Sequence, residues 1–244
     1  MMPVNALPFE PARADLSLEA AVRLMLGPRV AVSVTDPRAP DAVLWSAEAV
    51  AIARATPARK AEFAAGRAAA RSAMQALGHP PQAVLSGADR APIWPDGLTG
   101  SISHTGDTCI AAMAEVSALR SIGVDIEEDS PLEADLIPHV CTLAERAWLA
   151  TQPEADRGPL AKLIFSAKEC GYKCQYVVTR TLIDFAALEI TPDLDTGQFE
   201  ATFTCDVAPI TAGTRLHGRF ALLPGLIVTA MGLSRSPRWT IQGQ

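Results

Sequence analysis

The chain has 244 residues, 49% hydrophobic and 20% charged, with a net charge of −6. That length supports one large domain or two small ones around a self-sufficient core, and the acidic balance excludes a nucleic-acid binder acting through its overall charge. The longest apolar run, residues 220–230, is broken by Pro224-Gly225 and is too short to cross a bilayer, so no membrane insertion is expected.

The first residues lack a basic start followed by an apolar stretch, so no signal peptide is expected. VAVSVTD (30–36) reads as a strand. Thr56-Pro57 is a helix start, a capping residue with proline at the first position, and Gly78 with its following prolines is the stop. Phe63, Ala70, Met74 and Leu77 form the apolar stripe of this helix. Lys60, Arg67 and Arg71 form a basic stripe beside it, flanked by Arg59. That stripe is either a solvated face or an anion-binding wall. A Pro/Gly-rich loop (86–100) follows, and SISHTG leads into the strand CIAAMAEV. Ser121 to Glu127 is the next strand, Thr142-x-x-Glu145 is a capping box, and 160–177 is a longer helix with Leu160, Leu163, Ile164, Ala167 and Gly171 on one face. FAALEI, QFEATFT, HGRFALL and LIVTAMGL read as closing strands. Helices and hairpins interspersed in this way predict an α+β fold.

Three features carry possible chemistry. Asp125 and Glu127 are two apart on a strand, so their carboxylates share one face. A hard divalent cation would reconcile the two charges, since Mg²⁺ takes one or two carboxylates and keeps places for water and phosphate. The alternative is a strand end running out into solvent. Lys168-Glu169 with Lys173 is the second feature, on a segment that holds three of the four lysines. Glu169 and Lys173 have the spacing of an ordinary surface pair, but Tyr172 and Tyr176 lie beside them. Ser103-His104 is the third. It has no acid at triad spacing, so a hydrolase is not expected. The chain has neither a P-loop nor GxGxxG. His79, His139 and His217 lack metal-ligand spacing, and Cys170 and Cys174 lack the further ligands of a zinc site. The five cysteines are scattered, without CxxC, which predicts reduced thiols in a cytoplasm.

Taken in order, RKAEFAAGR, APIWPDGLTGSISHTG, GVDIE and FSAKECGYK resemble the 4′-phosphopantetheinyl transferases, in particular the branch that includes the enterobactin synthetase component D enzymes. The resemblance covers roughly residues 40 to 235. It implies transfer of the phosphopantetheine arm of coenzyme A to a serine of an apo acyl or peptidyl carrier protein, with release of adenosine 3′,5′-bisphosphate. By resemblance, Asp125, Glu127 and Glu169 hold Mg²⁺, with Mn²⁺ equally suited to oxygen ligands. Glu169 is the candidate base and Lys173 stabilises the leaving group. Ser103, His104, Arg59, Arg67, Arg90 and Lys168 bind the phosphates of coenzyme A, Arg90 at a position whose spacing varies in the family. Siderophore, polyketide, other peptide-synthase and fatty-acid carriers all stay open as partners.

The fold implied is two similar α/β halves about a pseudo-twofold, with the ligand in the cleft between: residues 1–117 with the basic helix and the Ser-His loop, and 118–244 with the acids and the FSAKE helix. A monomer is the simplest expectation. The sequence departs from the family at Cys170-Gly171, where other small residues are common, and lacks a proline soon after Tyr176, so a differently shaped helix end is expected. The competing reading is a non-catalytic coenzyme A-binding regulator on the same fold. Retention of Asp125, Glu127, Glu169 and Lys173 argues against it.

Overall fold

The structure, a computed structural model, describes residues 16–39 and 42–234. The reading of the chain start as free of a signal peptide falls mostly on residues 1–15 and lies outside the described residues. Ser17 accepts the Ala20 N–H and opens helix α1 (Leu18–Leu26), whose Leu18, Ala21 and Val22 are buried. Strand β1 (Ala31–Thr35) and a short helix α2 (Ser46–Ala49) follow. Helix α3 (Pro57–Ala76) starts where the sequence indicates: the Thr56 hydroxyl accepts the Arg59 N–H at 3.3 Å and Pro57 opens the first turn. Gly78, at φ 81°, lets the chain turn away at its end.

Next come β2 (Leu85–Ser86), β3 (Pro92–Ile93), β4 (Leu98–Thr105), β5 (Thr108–Glu115) and β6 (Ser121–Glu128). Helix α4 (Ile137–Val140) precedes α5 (Leu143–Ala150), whose Thr142–Glu145 capping box is present in both directions. Helix α6 (Glu154–Thr179) is longer than the apolar pattern indicates and ends at Arg180 in the left-handed conformation, without a proline. The chain closes with β7 (Leu188–Asp193), β8 (Gln198–Phe203), β9 (Arg215–Leu223) and β10 (Leu226–Leu233). The architecture is α+β, as predicted.

The strands form two main antiparallel sheets, β1-β5-β4 and β6-β10-β9-β8-β7, with β2-β3 as a small hairpin. Helix α3 buries Ala69, Ala70, Ala73 and Met74 against Ala111 and Met113 of the first sheet. Helix α6 packs Leu163, Ile164, Ala167 and Cys170 onto the second, against Leu188, Phe199 and Phe203. On the opposite side α1 spans both sheets, meeting Val32 and Ile110 of one and Ile122, Val124 and Val228 of the other. Strand β6 therefore has two buried faces. Its even-numbered Ile122, Val124 and Ile126 join the cluster around α1, and its odd-numbered Ser121, Gly123 and Asp125 meet α6. The period of two read from the sequence is the period of that division.

Two sequence expectations need correction. Residues 98–105 are not a loop and lead-in but a full strand, hairpinned to β5 through Gly106 at φ 48°. Their glycine and serine content hides the strand, because the two serines face a seam described below rather than an apolar core. In FAALEI the first three residues form a 3-10 turn, its amide at Ala187 capped by the Asp184 carboxylate, and only Leu188 onward is strand.

Candidate active site

The two sheets abut along β4 and β6, and side chains extend the ladder where the backbones do not pair. Ser101 Oγ accepts the Val124 N–H at 3.0 Å, and Ser103 Oγ accepts the Ile126 N–H at 3.3 Å. Ser103 Oγ also donates to Asp125 Oδ1 at 2.8 Å and accepts from Lys173 Nζ at 3.0 Å. A hydroxyl has one proton and two lone pairs, so this serine is saturated. In this arrangement it holds Asp125 and Lys173 in place at the edge of the cleft.

Asp125 is buried, 3% exposed, and both its oxygens are engaged. Oδ1 takes Ser103 and Lys173 Nζ at 2.6 Å, and Oδ2 takes Ser166 Oγ at 2.8 Å. Ser166 is braced by Thr229 at 2.9 Å, the residue opposite Asp125 on β10. Lys173 lies between Asp125, Ser103 and the Val124 carbonyl. Burial alone would push its pKa down, but the Asp125 carboxylate, with Glu169 beyond it, outweighs that and holds it up.

Glu127 points into the same space, 3.4 Å from Lys162. Burial, then the neighbouring Asp125, raises its pKa, and Lys162 opposes the rise. Glu169, one turn before Lys173 on α6, is also raised, by burial first, with Lys173 opposing and Asp125 adding. Both carboxyls are held above their ordinary range first by their removal from water, with the Asp125 charge adding to it. Among the described residues no three His, Cys, Asp or Glu side chains converge as a finished ligand set. The donor chemistry still fits a hard divalent cation, which needs only one or two carboxylates with water and phosphate.

The facing wall comes from α3 and β4. Arg59 Nη1 bonds Glu62 Oε2 at 3.1 Å and lies 2.7 Å from His104 Nε2. That contact makes Nε2 an acceptor and the imidazole neutral. Burial lowers the His104 pKa, Glu62 opposes the fall, and Arg59 and Lys173 add to it. Arg67 is buried, bonded to the Val84 carbonyl at 2.7 Å and to Ser86 Oγ at 3.0 Å, with its guanidinium 4.1 Å from the Phe63 ring centroid. Burial pushes its pKa down to about 10. Arg90 reaches in from the β2–β3 loop.

The resulting cleft, about 320 Å³, is lined by Arg59, Arg67, Arg90, Ser103, His104, Asp125, Glu127, Glu169 and Lys173. These are nine of the ten residues picked from sequence. The tenth, Lys168, is elsewhere. Its ammonium is buried with Glu145 at 2.8 Å and donates to the Phe185 carbonyl at 2.8 Å. One residue along a helix is a turn of about 100°, so adjacency to Glu169 sends Lys168 into the core rather than to a phosphate. The basic stripe of α3 is likewise divided. Lys60 is exposed, whereas Arg71 is buried on Glu48 at 2.6 and 2.8 Å as a structural pair.

Sequence reasoning missed Glu62, Lys162 and Ser166. The last two had a signal: Lys162, Ser166, Glu169 and Lys173 follow the i, i+4, i+7, i+11 spacing of one helix face.

Comparison with known proteins bears on this arrangement. Residues 47–114 match the model of the 4′-phosphopantetheinyl transferase N-terminal domain, and residues 121–222 that of the 4′-phosphopantetheinyl transferase superfamily. The chain is 39% identical to 4′-phosphopantetheinyl transferase Svp of Streptomyces mobaraensis, over 81% of this chain and 82% of that protein. It is 34% identical to 4′-phosphopantetheinyl transferase PptT of Mycobacterium tuberculosis, over 76% and 84%. It is 40% identical to enterobactin synthase component D of Salmonella typhi, over 54% and 55%. The chain belongs to the 4′-phosphopantetheinyl transferase superfamily.

Proposed function

We propose that this chain is a 4′-phosphopantetheinyl transferase that moves the phosphopantetheine arm of coenzyme A onto a serine hydroxyl of an apo carrier protein. The serine oxygen bonds to the phosphorus bearing the arm, and the bond from that phosphorus to the bridging oxygen breaks. The products are the phosphopantetheinyl serine and adenosine 3′,5′-bisphosphate, and the serine proton passes to a base. The observation that carries this reading is that Asp125, Glu127 and Glu169 line the same cleft as a basic wall of Arg59, Arg67 and Arg90. Phosphoryl transfer demands positioning and charge neutralisation more than covalent chemistry, and such a cleft supplies both.

Glu169 is the residue in this reading that accepts the serine proton. A cation held beside it would lower its pKa, so Glu169 would receive the proton through its position, either directly or through a water. Lys173 contributes mainly its charge, since its N–H groups are shared among Asp125, Ser103 and Val124. Arg59, Arg67, Arg90 and His104 line the side where the nucleotide phosphates would lie. Asp125, Glu127 and Glu169 would hold Mg²⁺ or Mn²⁺, which when bound neutralises the pyrophosphate. The division into halves at 1–117 and 118–244 is part of the reading. The first sheet uses only strands before residue 117 and the second only strands after 118. A cytoplasmic setting suits five free cysteines. Among the described residues no helix is long and apolar enough to cross a membrane.

The test uses coenzyme A carrying a fluorescent group on its thiol, with several apo carrier domains and Mg²⁺. Label should appear covalently on at least one carrier and be absent from the variant whose acceptor serine is alanine. Equal labelling of that variant would refute serine transfer.

A further inference from the structure

The loop that carries Arg90 into the cleft has a conformation its own sequence does not favour. Arg90 sits at φ 67°, where residues other than glycine are uncommon. Inside the loop, Gly87 N–H bonds the Ala91 carbonyl and Arg90 N–H bonds the Gly87 carbonyl, both at 2.9 Å. Asp89 Oδ1 accepts the Ala91 N–H at 3.0 Å. The other oxygen of Asp89 accepts the hydroxyl of Tyr176, on α6.

Tyr176 continues the polar face of α6 that begins with Lys162 and passes through Glu169 and Lys173. Its ring lies 5.9 Å from that of Tyr172, and the Arg180 guanidinium lies 5.8 Å from its centroid. The chain has only these two tyrosines, and both are here. Between the loop and this end of α6 lies a second cavity of about 240 Å³, which shares Arg90, Pro92, Ile102 and Lys173 with the cleft. The Asp89–Tyr176 bond thus ties the Arg90 loop to the helix that bears Glu169 and Lys173.

We propose that Asp89 and Tyr176 are positioning residues: they clamp the 87–91 turn to α6 and so fix the reach of Arg90 toward an anionic group of coenzyme A. This rests on the reading of the cleft given above. Tyr176 touches no substrate in this account and acts through Arg90, so its loss should fall on coenzyme A capture and not on the chemical step. A bond that only stabilised the fold would have no reason to depend on Arg90.

The experiment compares the parent, Tyr176→Phe, Arg90→Ala and the double variant, by steady-state transfer with coenzyme A varied and by calorimetric coenzyme A binding. Tyr176→Phe should raise KM and the dissociation constant about three- to tenfold, with kcat within about twofold. In the Arg90→Ala background it should add nothing. Asp89→Ala should copy Tyr176→Phe, whereas Asp89→Asn, whose oxygen can keep the Ala91 N–H while its amide NH2 donates to the Tyr176 oxygen, should stay near the parent. An equal factor in both backgrounds, a loss confined to kcat, no effect of Tyr176→Phe, or no effect of Arg90→Ala would each overturn the clamp while leaving the transferase reading intact. A parent that bound no coenzyme A would overturn the cleft reading and take the clamp with it.

Discussion

Asp125 illustrates what single residues contribute. Its place on β6 was legible, because alternation along a strand puts it on the same face as Glu127. Its partners were not, because Ser103, Ser166 and Thr229 come from three distant stretches that only the sheet seam and α6 bring together. Glu127 and Glu169 lack such complete support, and burial raises both their pKa values. A carboxyl raised on folding contributes stability below its unfolded pKa, about 4.3, and that contribution is lost as pH rises through the folded value. In chelator, Glu127→Gln with Glu169→Gln should therefore gain stability relative to the parent as pH rises from about 4 to 7. Thermal unfolding at several pH values checks this, and a stability difference that did not change with pH would contradict it.

At the scale of elements, α6 governs the site. Residues 162, 166, 169, 173 and 176 lie along one polar face, and the apolar positions 163, 164, 167 and 170 pack on the second sheet. The helix was legible from its apolar period, but a motif read as a string treats Lys168 and Glu169 as neighbours. The helix separates them. Lys168→Met should leave Glu145 buried without its cation and cost about 3–5 kcal/mol, with coenzyme A affinity changed less than by Arg59→Ala. Denaturant unfolding and calorimetry would reveal the reverse ranking if Lys168 bound phosphate. Contact between α6 and β6 depends on Gly123, where an added Cβ would lie 2.0 Å from the Cys170 carbonyl oxygen. Backbone cannot yield there as a flexible side chain could. Gly123→Ala should destabilise by at least about 1–3 kcal/mol, and a variant as stable as the parent would show that α6 sits farther from β6.

The whole molecule joins two sheets by serine side chains on one side and by α1 on the other, with the cleft at the join. Motif order conveyed the class and picked residues that line one cleft. The seam stayed hidden, because β4 reads as a Gly/Ser loop when its pairing partner is not known. Burial across the assembled fold also sets thiol reactivity. It pushes Cys109 and Cys174 up to about 12 and Cys141 to about 11, and raises Cys170 as well, while Cys205 is exposed. A disulfide reagent should therefore titrate one thiol rapidly in the native protein and five in denaturant. Two or more fast native thiols would contradict the packing of α6, β5 or the α4–α5 connection that holds Cys141.

The most direct test of the central claim is the intact mass of apo carrier domains after incubation with the protein, coenzyme A and Mg²⁺. The account predicts a gain of one phosphopantetheine arm, abolished by chelator and slowed about 10²-fold or more by Glu169→Gln, with that variant still binding coenzyme A. A gain that persisted at the parent rate in Glu169→Gln would contradict the assignment of the base, and no gain on any carrier despite coenzyme A binding would contradict transfer itself.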